Sequence, residues 1–102
     1  MVIAEVSIIP LGTGSSSVSE YVAGAITVLA QQKDVKYQLT PMGTIIEGDL
    51  VRVLDAITKM HESAFVANVK RVVTRITIDD RRDKAASMES KVKAVNEKLT
   101  TG

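Results

Sequence analysis

The chain has 102 residues, 45% of them hydrophobic, enough for one hydrophobic core and too few for two, so residues 1–102 are expected to form one domain. Acidic and basic residues nearly cancel at a net charge of +1, which excludes long-range electrostatic capture of nucleic acid or of an anionic membrane. Cysteine is absent, which rules out disulfides, thiolate metal sites and a cysteine nucleophile and fits a reducing compartment, so a cytoplasmic protein is expected.

The first residues, MVIAEVSIIPLG, carry Glu5 and lack both a basic flank and a long apolar stretch, so they do not read as a signal peptide. No apolar run approaches the roughly 20 residues that span a bilayer. VIAEVSIIPL alternates as a first strand, with Ala4, Val6 and Ile8 on one face and Glu5, Ser7 and Ile9 on the other. Pro10 and the following GTGSSS are expected to end it. Ser17 and Glu20 have capping-box spacing, and Tyr21, Val22, Ala25, Ile26 and Leu29 recur at helical spacing up to Gln32.

VKYQL, Val35 to Leu39, reads as a short second strand, and Pro41 near its end suggests a sheet edge. GTIIEG follows as a third strand after a tight connection. Asp49 is placed to cap a helix whose apolar positions are Leu50, Val53, Leu54, Ile57, Met60, Ala64 and Phe65. VKRVVTRITID, Val69 to Asp79, is rich in β-branched residues and reads as a fourth strand. After DRRD, with Asp83 as the expected cap, Ala85, Met88, Val92, Val95 and Leu99 form a narrow apolar seam on a last helix, suited to docking onto a neighbour.

The order βαββαβ, with right-handed crossovers, places two helices on one face of a four-stranded antiparallel sheet. The expected fold is therefore an α+β ferredoxin-like sandwich with an extra C-terminal helix. If the helices cover Val6, Ile8, Tyr37, Leu39, Val72 and Ile76, the opposite face carries Glu5, Ser7, Ile9, Gln38, Thr40, Ile45, Glu47, Arg71, Val73 and Arg75. Isolated apolar residues, hydroxyls and opposite charges on one sheet face fit cover by a second subunit together with a polar ligand; the alternative is a plain solvated face.

Glu47 is the unusual residue of that face, a carboxylate in an apolar run between Gly43 and Gly48. Covering it is costly unless Arg71, Arg75 or a ligand amino group meets it. The glycines permit close backbone approach or a bulge beside a binding residue, and serve equally as turn residues. LGTGSSS could receive an anion at a helix start, but it has neither the lysine of a phosphate-binding loop nor the third glycine of a dinucleotide fingerprint. His61, the only histidine, reads as a packed helix residue rather than a metal ligand. No nucleophile with its base and no divergent carboxylate pair can be assembled, so an enzyme is not expected. RNA binding on the open sheet would need stacking aromatics, whereas Tyr21, Tyr37 and Phe65 all fall on core-facing positions.

Taken in order, AEVSIIPLGTGSSSVSEYV, PMGTIIEGDL, MHE and KRVVTRITIDDRRDK resemble the small thiamine-binding protein family, stand-alone ferredoxin-like domains. The resemblance runs from the first strand to the start of the last helix and is specific in the combination of PLGTG, MGTxxEG and IDDRRD. It implies binding of thiamine or its hydroxymethylpyrimidine moiety without catalysis, no required cofactor, and self-assembly as a homodimer or a dimer of dimers. Carried over by motif, it puts Gly43, Thr44 and Glu47 in the pocket, with Ser7, Thr13, Arg71 and Arg81 near it. A carboxylate such as Glu47 could accept from the exocyclic amine while Thr44 pairs with the ring, and a thiazolium cation also favours a carboxylate. Arginines on the same face would repel that cation unless a carboxylate or a phosphate meets them. The alternative is a structural or regulatory module whose open sheet face mediates assembly without a ligand.

Overall fold

A computed structural model describes residues 1–14, 19–66, 69–83 and 87–101. Its elements are β1 (Val2–Leu11), α1 (Ser19–Ala30), β2 (Val35–Thr40), β3 (Gly43–Gly48), α2 (Leu50–Ser63), β4 (Arg71–Asp79) and α3 (Met88–Thr101). The four strands form one antiparallel sheet in the order β2-β3-β1-β4, the ferredoxin-like α+β arrangement with an additional C-terminal helix.

Register fixes which side chains share a face, because side chains alternate with period 2 and directly opposed residues point the same way. Ala4 lies opposite Ile46 and Ile78, and Val6 opposite Thr44 and Ile76. Tyr37 and Leu39 join them through Ile46 and Thr44. This is the helix-covered face. Val2, Ala4, Val6 and Ile46 meet Ala25 and Leu29 of α1 and Val53, Ala56, Ile57 and Met60 of α2 in one apolar cluster. Each fully buried aliphatic side chain of this kind contributes about 1.5–3 kcal/mol.

On α2 the buried stripe is Val53, Ala56, Ile57, Met60 and then Ala64, whereas Leu54 is 40% and Phe65 42% exposed. Leu54 lies one residue off the stripe, about 100° around the helix from Val53, and Ala56 replaces it at the contact. Phe65 follows the helix end, where its ring packs edge-on against His61 with centroids 5.3 Å apart. Asp49 holds the N-cap position with extended backbone, but its side chain makes no capping bond; its carbonyl accepts from the Val53 amide at 2.8 Å.

β1 runs through Pro10 to Leu11 instead of ending at the proline. Its last five residues, Ser7 to Leu11, pair only with β4, since the β1–β3 register ends at Val6↔Thr44. Pro10 lacks an N–H, and a stretch with one free side is where a strand tolerates that loss. Gly12 and Gly14 then take positive φ, 73° and 75°, and turn the chain away. The expected cap Ser17 and the seam residue Ala85 lie outside the described residues.

α3 starts at Met88 under a different cap from the one expected. The Ser87 hydroxyl accepts from the Ser90 amide at 3.0 Å, and the Ser90 hydroxyl accepts from the Ser87 amide at 2.8 Å. Asp83 is instead held by Arg81. Lys91 ties the first turn of α3 to Asp79 at the end of β4, 2.5 Å away. From Glu89 to Thr100 every side chain is exposed, the seam residues Val92, Val95 and Leu99 by 60%, 57% and 73%. The radius of gyration, 15.4 Å, exceeds the about 13 Å of a compact chain of this length.

Candidate ligand-binding site

The unequal reach of the strands creates a notch. β3 stops pairing at Thr44 while β1 continues beside β4, so the end of the β2–β3 hairpin and the free side of β1 enclose a cavity of about 1120 Å³. This is slightly above the about 300–1,000 Å³ usual for small-molecule sites. The hairpin that frames it has a two-residue loop, Pro41 and Met42, between Thr40 and Gly43. The Thr40 hydroxyl locks the loop, accepting from the amides of Met42 (3.3 Å) and Gly43 (3.1 Å) and donating to the Gly43 carbonyl (2.7 Å).

Gly43 is required by close approach: a Cβ there would lie 2.9 Å from the Val6 carbonyl oxygen. The cavity therefore extends past the end of β3 from one sheet face to the other, and its two ends differ chemically. Towards the helices it is lined by Tyr21, Val22 and Ile26 of α1 with Leu39 and Met60, an apolar chamber with one aromatic ring. Towards the open face it is lined by Glu5, Ser7, Arg75 and Thr77. Such a space suits a small ligand with a flat, largely apolar ring at one end and charged or hydrogen-bonding groups at the other.

Of the residues singled out in the sequence, Ser7, Gly43 and Thr44 meet at this cavity. Glu47, Thr13, Arg71 and Arg81 do not line it. Glu47 lies four residues along β3 from Gly43, about 13 Å at strand spacing. It is 6% exposed and sits between Ile3 of β1 and Lys36 of β2. Arg71 and Arg75 are on β4, with β1 intervening, and no side-chain hydrogen bond or ion pair to the Glu47 carboxylate occurs among the described residues. Arg71 stands opposite Leu11 at the far end of β4. Arg81 is engaged with Asp83 through two bonds of 2.6 and 3.0 Å, which raise its pKa above the ordinary value. Thr13 lies between Gly12 and Gly14 beyond the end of β1 and has a bonding partner of its own.

The cavity also recruits residues that the motifs did not single out as a site. Tyr21 falls on a core-facing position by periodicity, Glu5 is one charge of a mixed face, and Arg75 reads from sequence as a candidate partner of Glu47. The period-2 pattern identified that face, but nothing local in sequence shows where β3 ends relative to β1. Tyr37 lies on the helix side by register yet is 40% exposed, because β2 is an edge strand. His61 Nδ1 lies 2.6 Å from the Thr74 hydroxyl, tying α2 to β4. Among the described residues no group of three His, Cys, Asp or Glu side chains is placed to hold a metal ion, and no helix is long and apolar enough to cross a membrane.

Residues 4–96 match the family model described as thiamine-binding protein. The chain belongs to the thiamine-binding protein family. Relatives within it include the UPF0045 protein YqgV of Bacillus subtilis, 48% identical over 97% of this chain and 98% of the relative. The crystal structure of MJ1052 from Methanocaldococcus jannaschii is 46% identical and superposes with a TM-score of 0.85 over 94% of this chain and 96% of that one. TM0486 of Thermotoga maritima, provisionally assigned to thiamine biosynthesis or salvage, shares the fold with a TM-score of 0.76 at 21% identity, covering 92% of this chain and 97% of its own. For a member of this family, a two-ended cavity beside the MGT segment is the natural candidate for the ligand.

Proposed function

We propose that this protein is a non-catalytic binder of thiamine or its hydroxymethylpyrimidine moiety, working in the cytoplasm as a carrier, sensor or salvage accessory. The observation that carries the reading is the cavity of about 1120 Å³ whose apolar chamber and polar mouth match the two ends of such a ligand. A pyrimidine ring fits against Tyr21, Ile26 and Leu39, where stacking and burial supply affinity. Ser7 and the Gly43–Thr44 segment offer hydroxyls and backbone groups to ring nitrogens and the exocyclic amine. Family membership supports binding over turnover. Calorimetry and thermal shift with thiamine and with hydroxymethylpyrimidine test the proposal. Saturable heat that is lost in Ile26→Trp, which fills the chamber, is expected; no heat and no shift at millimolar ligand would sink it.

A second reading is favoured by α3. Its exposed seam of Val92, Val95 and Leu99 fits a module that assembles into a homodimer or a dimer of dimers, with or without a ligand. Leu99→Glu should then lower the oligomeric mass measured by light scattering while leaving the far-ultraviolet circular dichroism intact. An unchanged mass would remove α3 from the assembly.

A further inference from the structure

We infer that the ligand of this cavity carries a phosphate, received by Arg75, beside a cationic or amine-bearing ring received by Glu5; the inference rests on the thiamine reading above. The mouth of the cavity is a square of four side chains on the open face. Glu5 lies opposite Thr77, and Ser7 lies opposite Arg75. Glu5 and Arg75 are thus diagonal neighbours, about 7–8 Å apart at their Cα atoms. They do not reach each other: among the described residues neither makes an ion pair or a side-chain hydrogen bond. The arginines just beyond the same strand behave differently, Arg81 and Arg82 each gripping an aspartate through more than one bond. Arg75 stands at the mouth of the cavity with its charge uncompensated by the protein.

That arrangement is unfavourable for a ligand whose only charge is positive. A thiazolium drawn to Glu5 would bring its charge towards Arg75, and like charges repel; both side chains are exposed, so solvent screens part of that repulsion. A phosphomonoester reverses the sign of that term. It presents several acceptor oxygens and more than one negative charge at neutral pH, which a guanidinium receives in a two-pronged, charge-assisted geometry. The Ser7 and Thr77 hydroxyls lie on either side as further donors. A thiamine phosphate, with its phosphate a two-carbon arm from the thiazolium, carries the charge pair that Glu5 and Arg75 present, and a phosphorylated hydroxymethylpyrimidine offers the phosphate with a neutral amine donor for Glu5. The shared chemistry is an aminopyrimidine bearing a phosphate.

The experiment is calorimetric titration of the full chain, at one salt concentration, with thiamine, thiamine monophosphate and inorganic phosphate separately. Thiamine monophosphate should bind about tenfold or more tightly than thiamine, the usual scale of a charge-assisted pair. Arg75→Gln should collapse that ratio towards one, Arg75→Lys should restore part of it, and Arg52→Gln, an equal charge change on α2, should leave it intact. Equal affinity for thiamine and its monophosphate overturns the phosphate inference and leaves the thiamine reading standing. Inorganic phosphate binding as tightly as the monophosphate also overturns it, because ring and phosphate would not belong to one ligand. Binding of none of the three overturns both.

Discussion

Gly43→Ala and Gly24→Ala make the same chemical change at two positions and should move stability in opposite directions. At Gly43 the new methyl carbon would stand 2.9 Å from the Val6 carbonyl oxygen, 3.5 Å from Glu5 Cγ and 3.6 Å from the Val6 carbonyl carbon. Two of these contacts are with backbone, and Val6 is itself anchored in the core at 2% exposure. The oxygen cannot swing aside as a side chain would, so β3 must retreat from β1 at the last pair of their ladder, Val6↔Thr44. Overpacking of this kind costs about 1–3 kcal/mol, and replacing glycine returns about 0.4–1 kcal/mol through the unfolded chain. The net loss, about 1–2 kcal/mol, lowers the melting temperature by roughly 4–16 °C in a domain of this size. Gly24 lies within α1, exposed, with nothing within 4 Å of the added carbon, so alanine there gains about 0.8–1 kcal/mol of helix propensity. Both variants should be melted by circular dichroism at one fixed protomer concentration, because assembly would make the midpoint concentration-dependent. A Gly43→Ala protein melting at or above wild type would refute the close approach of β3 to β1 that frames the cavity.

Three further outcomes follow from single residues. Ser87→Ala removes the bond from the Ser90 amide to the Ser87 hydroxyl, leaving its reciprocal in place, and should cost about 1 kcal/mol of local stability, seen as faster amide exchange at Ser90 with little change in the core amides. Glu47→Gln discharges a carboxylate that is 6% exposed and makes no ion pair among the described residues, so stability should stay level or rise by up to about 1 kcal/mol. A loss above about 2 kcal/mol in urea unfolding would show that a cation meets Glu47 in the assembled protein. Asp80 is held below its ordinary pKa of 3.8, chiefly by its hydrogen bond from Arg82, so it stabilises the fold above 3.8 and that contribution fades as pH falls through the lowered value. Carboxyl titration by NMR should show the Asp80 midpoint returning towards 3.8 in Arg82→Gln, and an unchanged midpoint would count against the pair.

The fold was legible because each element carries its own period. Alternation in VIAEVSIIPL and VVTRITID, and the spacing of Val53, Ile57, Met60 and Ala64, bring the apolar residues to one side whatever their partners are. What local pattern could not supply was termination. Pro10 reads as a stop, yet β1 continues through it because that stretch is paired on one side only. Asp83 reads as a cap, yet α3 starts at Met88, where the paired serines Ser87 and Ser90 hold its first turn. Both depend on where a neighbour begins or ends, which is a property of the tertiary register.

The candidate site shows the same limit more sharply. Ser7, Gly43 and Thr44 could be singled out because they sit in recognisable segments, and they do converge. Glu47 drew attention for a sound reason, a carboxylate in an apolar strand, but a strand carries its residues in a line. Four residues along β3 is about 13 Å, farther than a glutamate side chain reaches. Arg75 and Glu5 had the opposite fate. Glu5 reads as an ordinary charge on a mixed face and Arg75 as a candidate partner of Glu47, yet the ladder register sets them diagonally across the mouth of a cavity. The cavity exists because β1 and β4, at 10 and 9 residues, outrun β2 and β3, at 6 residues each. Lengthening the β2–β3 hairpin by one non-proline residue on each strand should therefore extend the ladder beyond Val6 and narrow the notch. The shape of this cavity is set by a difference in strand length as much as by the side chains that line it.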